Sequence, residues 1–171
     1  RLDHLLDQLL ELSRIESGIT KPNHEPVPLA ALVSGLHTKW KEAVEVKGIS
    51  LSVHIPDDVI VTGDKLFIEI ILDNLVHNAI KYGKEQGHIF IQWVEGQRSL
   101  SVRDDGHGIP EEHLPNIFSR FYRVDPSRSS SIKGSGLGLS IVKKLADLQS
   151  ISLVAQSMPG EGTVFTMSFP R

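Results

Sequence analysis

Asp64-Lys-Leu-Phe-Ile-Glu-Ile-Ile-Leu-Asp-Asn-Leu-Val-His-Asn-Ala-Ile-Lys-Tyr82 is the stretch on which the reading of this chain turns. Phe67, Ile68, Ile70, Ile71, Leu72, Leu75, Val76, Ala79 and Ile80 make it apolar around most of a helical girth. Asp64 is placed to cap that helix through its side-chain oxygen. Among the residues that interrupt the apolar surface, four are in register: Asn74, Asn78, Lys81 and Tyr82 fall on one stripe, because positions four, seven and eight apart share a helix face. Burying amides and an ammonium without partners costs about 1–3 kcal/mol per group. One reading is that the stripe faces a polar ligand. An amide oxygen suits Mg2+, which takes oxygen donors and bridges to phosphates, and a lysine serves as a point charge for phosphate. The other reading is an internal amide network that caps neighbouring strands. The helix by itself leaves both open.

On the N-terminal side, Leu2, Leu5, Leu6, Leu9, Leu10, Leu12 and Ile15 recur at steps of three and four, a helix over residues 1–17 that Gly18 ends. Residues 19–28, with Pro22, Asn23, Pro26 and Pro28, read as a linker. A domain boundary near residue 20 divides the chain into 1–20 and 21–171. A helix is expected over 29–46, then strands at 50–55 and 59–62. Beyond the central helix come strands near 88–95 and 98–104, a loop-rich section over 105–135, a helix over about 137–149, and strands near 151–157 and 163–169. Hairpins with helices between them predict an α+β fold, a two-layer sandwich with helices on one face of a mixed sheet.

Three further motifs follow in the loops. Asp104-Asp-Gly106-His-Gly108-Ile109 comes directly after a strand. Its carboxylate can accept from an exocyclic amine and its glycines admit close approach of a ligand; a plain Asp-Gly turn explains the same residues. Gly134-Ser-Gly136-Leu137-Gly138-Leu139 opens a helix, where bare amides and the helix dipole favour phosphate; a flexible linker is the alternative. It is not a dinucleotide fingerprint, since Leu139 stands where that pattern needs glycine. Gly160-Glu-Gly162-Thr163 needs no function as a hairpin turn.

The composition bounds what the chain can be. Its 171 residues are 40% apolar and 23% charged, with a net charge of −3, so nothing argues for nucleic-acid binding. Cysteine is absent, which removes disulfides and thiolate chemistry. No apolar run is long enough to cross a membrane. The start at Arg1, inside a helical pattern, reads as a fragment of a longer protein with room for an anchor upstream.

Taken in order, Asn74 to Asn78, Asp104-x-Gly-x-Gly, Ile117-Phe-x-Arg120-Phe121-Tyr122-Arg123, Gly134-x-Gly-x-Gly and Gly160-x-Gly-Thr resemble the successive nucleotide-binding boxes of the histidine-kinase ATPase family, which includes the type II topoisomerase ATPase subunits and Hsp90. Within that family the phrases Ile117-Phe-Ser-Arg-Phe-Tyr-Arg-Val-Asp125 and Leu9-Leu-Glu-Leu-Ser-Arg-Ile-Glu-Ser17 resemble the sensor histidine kinases of two-component systems, and here the catalytic domain with the second helix of its dimerisation hairpin. The resemblance implies the Bergerat ATP-binding fold, with ATP and Mg2+ as substrate and cofactor. It implies that Asn78 ligates Mg2+, that Asn74 is a polar partner of Mg2+ or phosphate, that Lys81 contacts phosphate and that Tyr82 packs beside adenine. It implies that Asp104 accepts the adenine amine beside Gly106, Gly108 and Ile109. Gly134, Gly136, Leu137, Gly138 and Leu139 would line the phosphates under a mobile lid over 112–135, and Thr163 would lie near the base. Arg120 and Arg123 are implied as γ-phosphate clamps, with ordinary surface arginines as the alternative.

The implied partners are the protein's own phosphoacceptor hairpin, a second copy of the chain and a cognate response regulator, in the cytoplasm. Two departures matter. Asn74 stands where the ATP-hydrolysing branches carry a glutamate base, so rapid hydrolysis is not expected. No histidine carries the family's acceptor motif, and His4 is followed by Leu5 and Leu6. The expected act is therefore to bind Mg-ATP and present its γ-phosphate to a histidine outside this chain. A nucleotide-binding module without transfer, and an ATPase-driven clamp, are the rival readings.

Overall fold

The computed structural model describes residues 2–19, 21–124 and 136–171, with side chains except at 2–5 and 8. Its centre is the helix read first. α3 (Lys65–Tyr82) starts where Asp64 accepts a hydrogen bond from the Phe67 amide at 3.1 Å. Phe67, Ile68, Ile71, Leu72, Leu75, Val76, Ala79 and Ile80 are all buried. Each large apolar side chain so buried contributes about 1.5–3 kcal/mol. α3 therefore sits inside the fold, flanked by α2 (Leu29–Val46) and α4 (Gly138–Leu148).

These helices cover one face of a five-stranded sheet. Its strands are β2 (Ser50–His54), β4 (His88–Val94), β5 (Ser99–Asp104), β6 (Ser152–Met158) and β7 (Gly162–Ser168). The order is β2-β4-β5-β7-β6, with β2 parallel to β4 and the other pairs antiparallel, so the sheet is mixed as predicted. Period-two alternation sends Ile89 and Ile91 of β4, Leu100 and Val102 of β5, and Phe165 and Met167 of β7 into the core. Asp104 pairs with Ile89 in this register, so the alternation puts a carboxylate on the apolar side at the end of β5.

One expectation fails. Residues 19–28 are not all linker: β1 (Glu25–Pro28) pairs antiparallel with β3 (Ile60–Gly63), burying Val27 against Val61. Pro26 and Pro28 concealed it, but a two-stranded ribbon needs an amide from only every second residue on its paired side.

A buried polar node ties this ribbon to the helices. The second Asp64 oxygen accepts from the Asn23 amide at 2.7 Å, and the Asp64 amide donates to Gln149 Oε1 at 2.8 Å. Gln149 in turn donates to the Leu145 carbonyl at 3.0 Å. α1 (Leu2–Glu16) lies against α4 through Leu12 and Ile15, both buried, and leaves Leu6, Leu9 and Leu10 exposed. Among the described residues no helix is long and apolar enough to cross a membrane.

Candidate functional site

The C-terminal half of α3, the end of β5, the start of α4 and the start of β7 meet at one edge of the sandwich. Asn74 donates from Nδ2 to the Ile70 carbonyl at 2.8 Å, which leaves its Oδ1 facing α4. A Cβ on Gly138 would stand 2.9 Å from that oxygen, so glycine here lets the first turn of α4 close on the amide. One turn along, Asn78 is half-buried and its side-chain amide makes no hydrogen bond to the described residues. Lys81 Nζ lies 5.1 Å from the centroid of the Tyr82 ring. Burial, then the nearby Arg123 charge, lowers the Lys81 pKa. Burial raises that of Tyr82, with Arg123 opposing.

Asp104 is buried and its Oδ1 accepts from the Gly106 amide at 2.8 Å. Burial raises its pKa; the Gly106 and Thr163 backbone hydrogen bonds oppose that rise without cancelling it. The result is an acceptor fixed by the backbone, on a rigid strand end, with limited access to water. Thr163 is buried beside it, its Oγ1 2.8 Å from Ser157 Oγ. Ser157 also accepts from the Ile109 amide at 2.7 Å. The motif glycines serve the chain itself: a Cβ at Gly106 would lie 2.4 Å from the Tyr82 carbonyl, and one at Gly108 (φ 73°) would lie 2.1 Å from the Met158 carbonyl. They let the loop pack closely on the end of α3 and on the β6–β7 turn.

The structure thus brings Asn74 to Gly138, Asp104 to Gly106 and Thr163, and Arg123 into electrostatic range of Lys81 and Tyr82. Leu137 is buried and Leu139 packs against the core, so any contact they offer a ligand is through backbone. Gly134 lies outside the described residues. Arg120 goes elsewhere: its guanidinium pairs with Glu16 at the end of α1. The first part of the expected lid is also anchored. Ile117 is buried, Phe118 meets Phe165 edge-on at 6.2 Å between centroids, and Leu114 packs on the core. Residues 125–135 lie outside the described part.

A cavity of about 470 Å3 lies between α1, α4 and residues 118–120, bordered by Leu12, Glu16, Arg120 and Lys143. It does not include the α3 stripe or Asp104. Ser157, which braces both Ile109 and Thr163, escaped the sequence reading; its inward position in β6 was the available signal. Among the described residues no cluster of His, Cys, Asp or Glu is suited to a metal. An amide ligand working with phosphate oxygens needs no such cluster.

Residues 63–171 match the family described as histidine kinase-, DNA gyrase B- and HSP90-like ATPase. The chain is 34% identical over 171 residues to the phosphate regulon sensor protein PhoR of Pseudomonas aeruginosa, covering 99% of this chain and 39% of that one. The chain therefore spans well under half of that relative's length. Among solved structures it is similar to the catalytic domain of histidine kinase ThkA, with 28% identity and a TM-score of 0.74 over 86% of this chain and 95% of that one. It is also similar to ShkA in complex with AMPPNP, with 25% identity and a TM-score of 0.82 over 98% of this chain and 36% of that one.

Proposed function

The chain belongs to the histidine kinase-, DNA gyrase B- and HSP90-like ATPase family, and on that premise we propose that it binds Mg-ATP and donates the γ-phosphoryl group to a histidine of an adjoining helical hairpin. The observation that carries this reading is the pairing of an adenine acceptor with a phosphate-side cluster at one edge of the fold. Asp104 is buried, backbone-held and an acceptor. Asn78, Lys81 and Arg123 supply a hard oxygen and two positive charges.

The residues fit Mg2+ through the Asn78 oxygen, with Asn74 beside α4; bound there, the ion would neutralise charge on the phosphates. The rest falls to the chain's own groups. Asp104 fixes the base and discriminates against guanine, which presents an oxygen where adenine presents an amine. Lys81 holds the phosphates in place and Arg123 meets the charge that shifts on the γ-phosphoryl group, and phosphoryl transfer asks for little beyond such positioning and charge. In the transfer an imidazole nitrogen bonds to the γ-phosphorus, the bond to the ADP oxygen breaks, and the imidazole proton leaves to solvent. Asn74 cannot act as a base towards water, which favours transfer over hydrolysis.

The same reading extends to the surroundings. Residues 1–20 are the end of the dimerisation hairpin and 21–171 the catalytic domain. The exposed Leu6, Leu9 and Leu10 suit a helical bundle of two chains. A cognate response regulator would take the phosphoryl group onward, in the cytoplasm.

The test uses Mg2+ and γ-labelled ATP. The chain alone should bind nucleotide and gain little stable label, and adding the parent protein's hairpin domain should produce an acid-labile, base-stable phosphohistidine on that hairpin. Nucleotide binding without transfer to the hairpin would leave a binding module. Strong labelling of His4 or His77 in the chain alone would overturn the assignment of the acceptor.

A further inference from the structure

The phrase Arg120-Phe121-Tyr122-Arg123 places two arginines three residues apart, yet the fold sends them in different directions. Arg120 pairs with Glu16 on α1. Arg123 acts on Lys81 and Tyr82 at the end of α3. The divergence happens at Phe121, whose φ of 60° is left-handed. A bulky side chain adopts that conformation only where its surroundings impose it. The Phe121 ring does not supply the compensation, because the residue is 60% exposed.

What imposes the turn lies on either side of it. Before it, the chain is fixed to the sheet by buried Ile117 and by Phe118 on Phe165. Across it, the Phe121 amide donates to the Gly136 carbonyl at 3.0 Å, and Gly136 is close enough that a Cβ there would stand 2.8 Å from Phe121 Cα. After it, Tyr122 is held twice. Its amide donates to the Ser119 carbonyl at 3.2 Å, and its hydroxyl lies 2.5 Å from His113 Nδ1. His113 is itself fixed, its amide donating to the Pro110 carbonyl at 2.9 Å. The His113–Tyr122 bond thus ties residues nine apart and closes the segment into a loop with a defined exit.

We propose that His113 and Tyr122 are positioning residues for phosphoryl transfer: their hydrogen bond holds the turn at Phe121 and so delivers Arg123 to the phosphate side of the site. This rests on the phosphoryl-transfer reading above. Neither residue is assigned a contact with the nucleotide. Their effect is on where the guanidinium stands when charge shifts, which a small displacement is enough to spoil.

The experiment measures two quantities in wild type and variants: Mg-dependent affinity for ATP, and the rate of label transfer to the parent protein's hairpin at saturating ATP. Wild type that neither binds nor transfers overturns the functional reading and this proposal with it. With wild type active, Tyr122→Phe, which keeps the ring, should slow transfer about fivefold to tenfold while ATP affinity stays within about twofold. His113→Ala should do the same, and the double variant should be no slower than either single one, because both remove one bond. His113→Gln, whose amide oxygen can accept from the phenol, should recover part of the rate. An unchanged rate in Tyr122→Phe, or losses that add in the double variant, overturns the proposal. So does a rate loss matched by equal losses in thermal midpoint and affinity, which would mark a role in folding alone.

Discussion

The stripe of α3 that carries Asn74, Asn78 and Lys81 and the segment from Glu111 to Val124 that carries Arg120 and Arg123 border the same site, but they are held by different means. α3 is capped by Asp64, walled in by eight buried apolar residues and pinned on its outer side, where Asp73 accepts from Trp40 Nε1 and Lys39 Nζ, each at 2.9 Å. Its polar groups stand where the helical repeat puts them. The second segment has a short 3-10 turn, three apolar anchors, one left-handed residue and a few single hydrogen bonds. Its arginines stand where individual contacts send them. A candidate site built this way has one side fixed by a packed helix and another whose geometry can be altered by one bond.

The largest effect should come from the fixed side. Asn78→Ala is expected to lower Mg-dependent ATP affinity by about ten- to a hundredfold, measured by calorimetry with and without Mg2+. Retained Mg dependence would mean that the α3 stripe is not the ligand face, and the comparison would collapse.

Asp104→Asn should follow, with about a tenfold weaker grip on ATP and a reduced preference over GTP. Acidity gives a second handle on it. Its raised pKa means that Asp104 gains a proton at a higher pH than an ordinary aspartate, whose value is 3.8, and loses an acceptor as it does so. Affinity for ATP should therefore begin to fall on acidification before an exposed carboxylate would titrate. An identical pH profile in Asp104→Asn would assign that fall to another group.

A stability effect comes next. Asp73→Ala leaves the indole N–H of buried Trp40 unpaired, a cost of about 1–3 kcal/mol seen in denaturant unfolding. Burial raises the Asp73 pKa, but hydrogen bonds from His77, Trp40 and Lys39 outweigh it and hold the carboxyl well below 3.8. The hydrogen bond to Asp73 raises the His77 pKa above 6.5. The Asp73 contribution is thus present above 3.8 and lost in strong acid, while that of His77 is present below 6.5 and lost as pH rises through its folded value. The gap between wild type and Asp73→Ala should be widest between these limits. His77 is 56% exposed, so its share is under about 1 kcal/mol. A gap that widens above neutral pH would contradict the sign.

The smallest effect concerns the second segment without ligand. Amides near Ile117 and Phe118 should resist hydrogen exchange before any nucleotide is added, with little further gain on adding a non-hydrolysable ATP analogue. Rapid exchange there in the free protein would show that the anchors do not hold, and that the segment opens as one piece.

What could be read from residues alone follows the same division. The α3 stripe was legible because a period fixes its face, and Asp104 because a strand ends on it. The sheet and its helices were legible from alternation and spacing. The prolines at 26 and 28 hid β1, since sequence does not say which amides a ribbon leaves unused. The glycines at 106 and 108 were legible as special but not as packing against Tyr82 and Met158. Nothing in a local pattern could part Arg120 from Arg123, because Glu16 is over a hundred positions away and a left-handed phenylalanine has no signature. The braces Ser157 and His113 act through contacts that only the folded chain makes.

The Asp64 node has a consequence for how the molecule is made. The amide of Asp64 is paired with a residue 85 positions later in the chain, and its carboxylate with one 41 positions earlier. Contacts so distant along the chain close late, because the intervening loop must first be ordered. A nascent chain in which Gln149 has not yet emerged would hold α3 with its Asp64 cap formed but the Asp64 amide unmatched. The helix that carries the candidate site would then be an exposed apolar segment, prone to association with its neighbours. A chain truncated before Gln149 would therefore lack the partner that matches the Asp64 amide in the folded molecule.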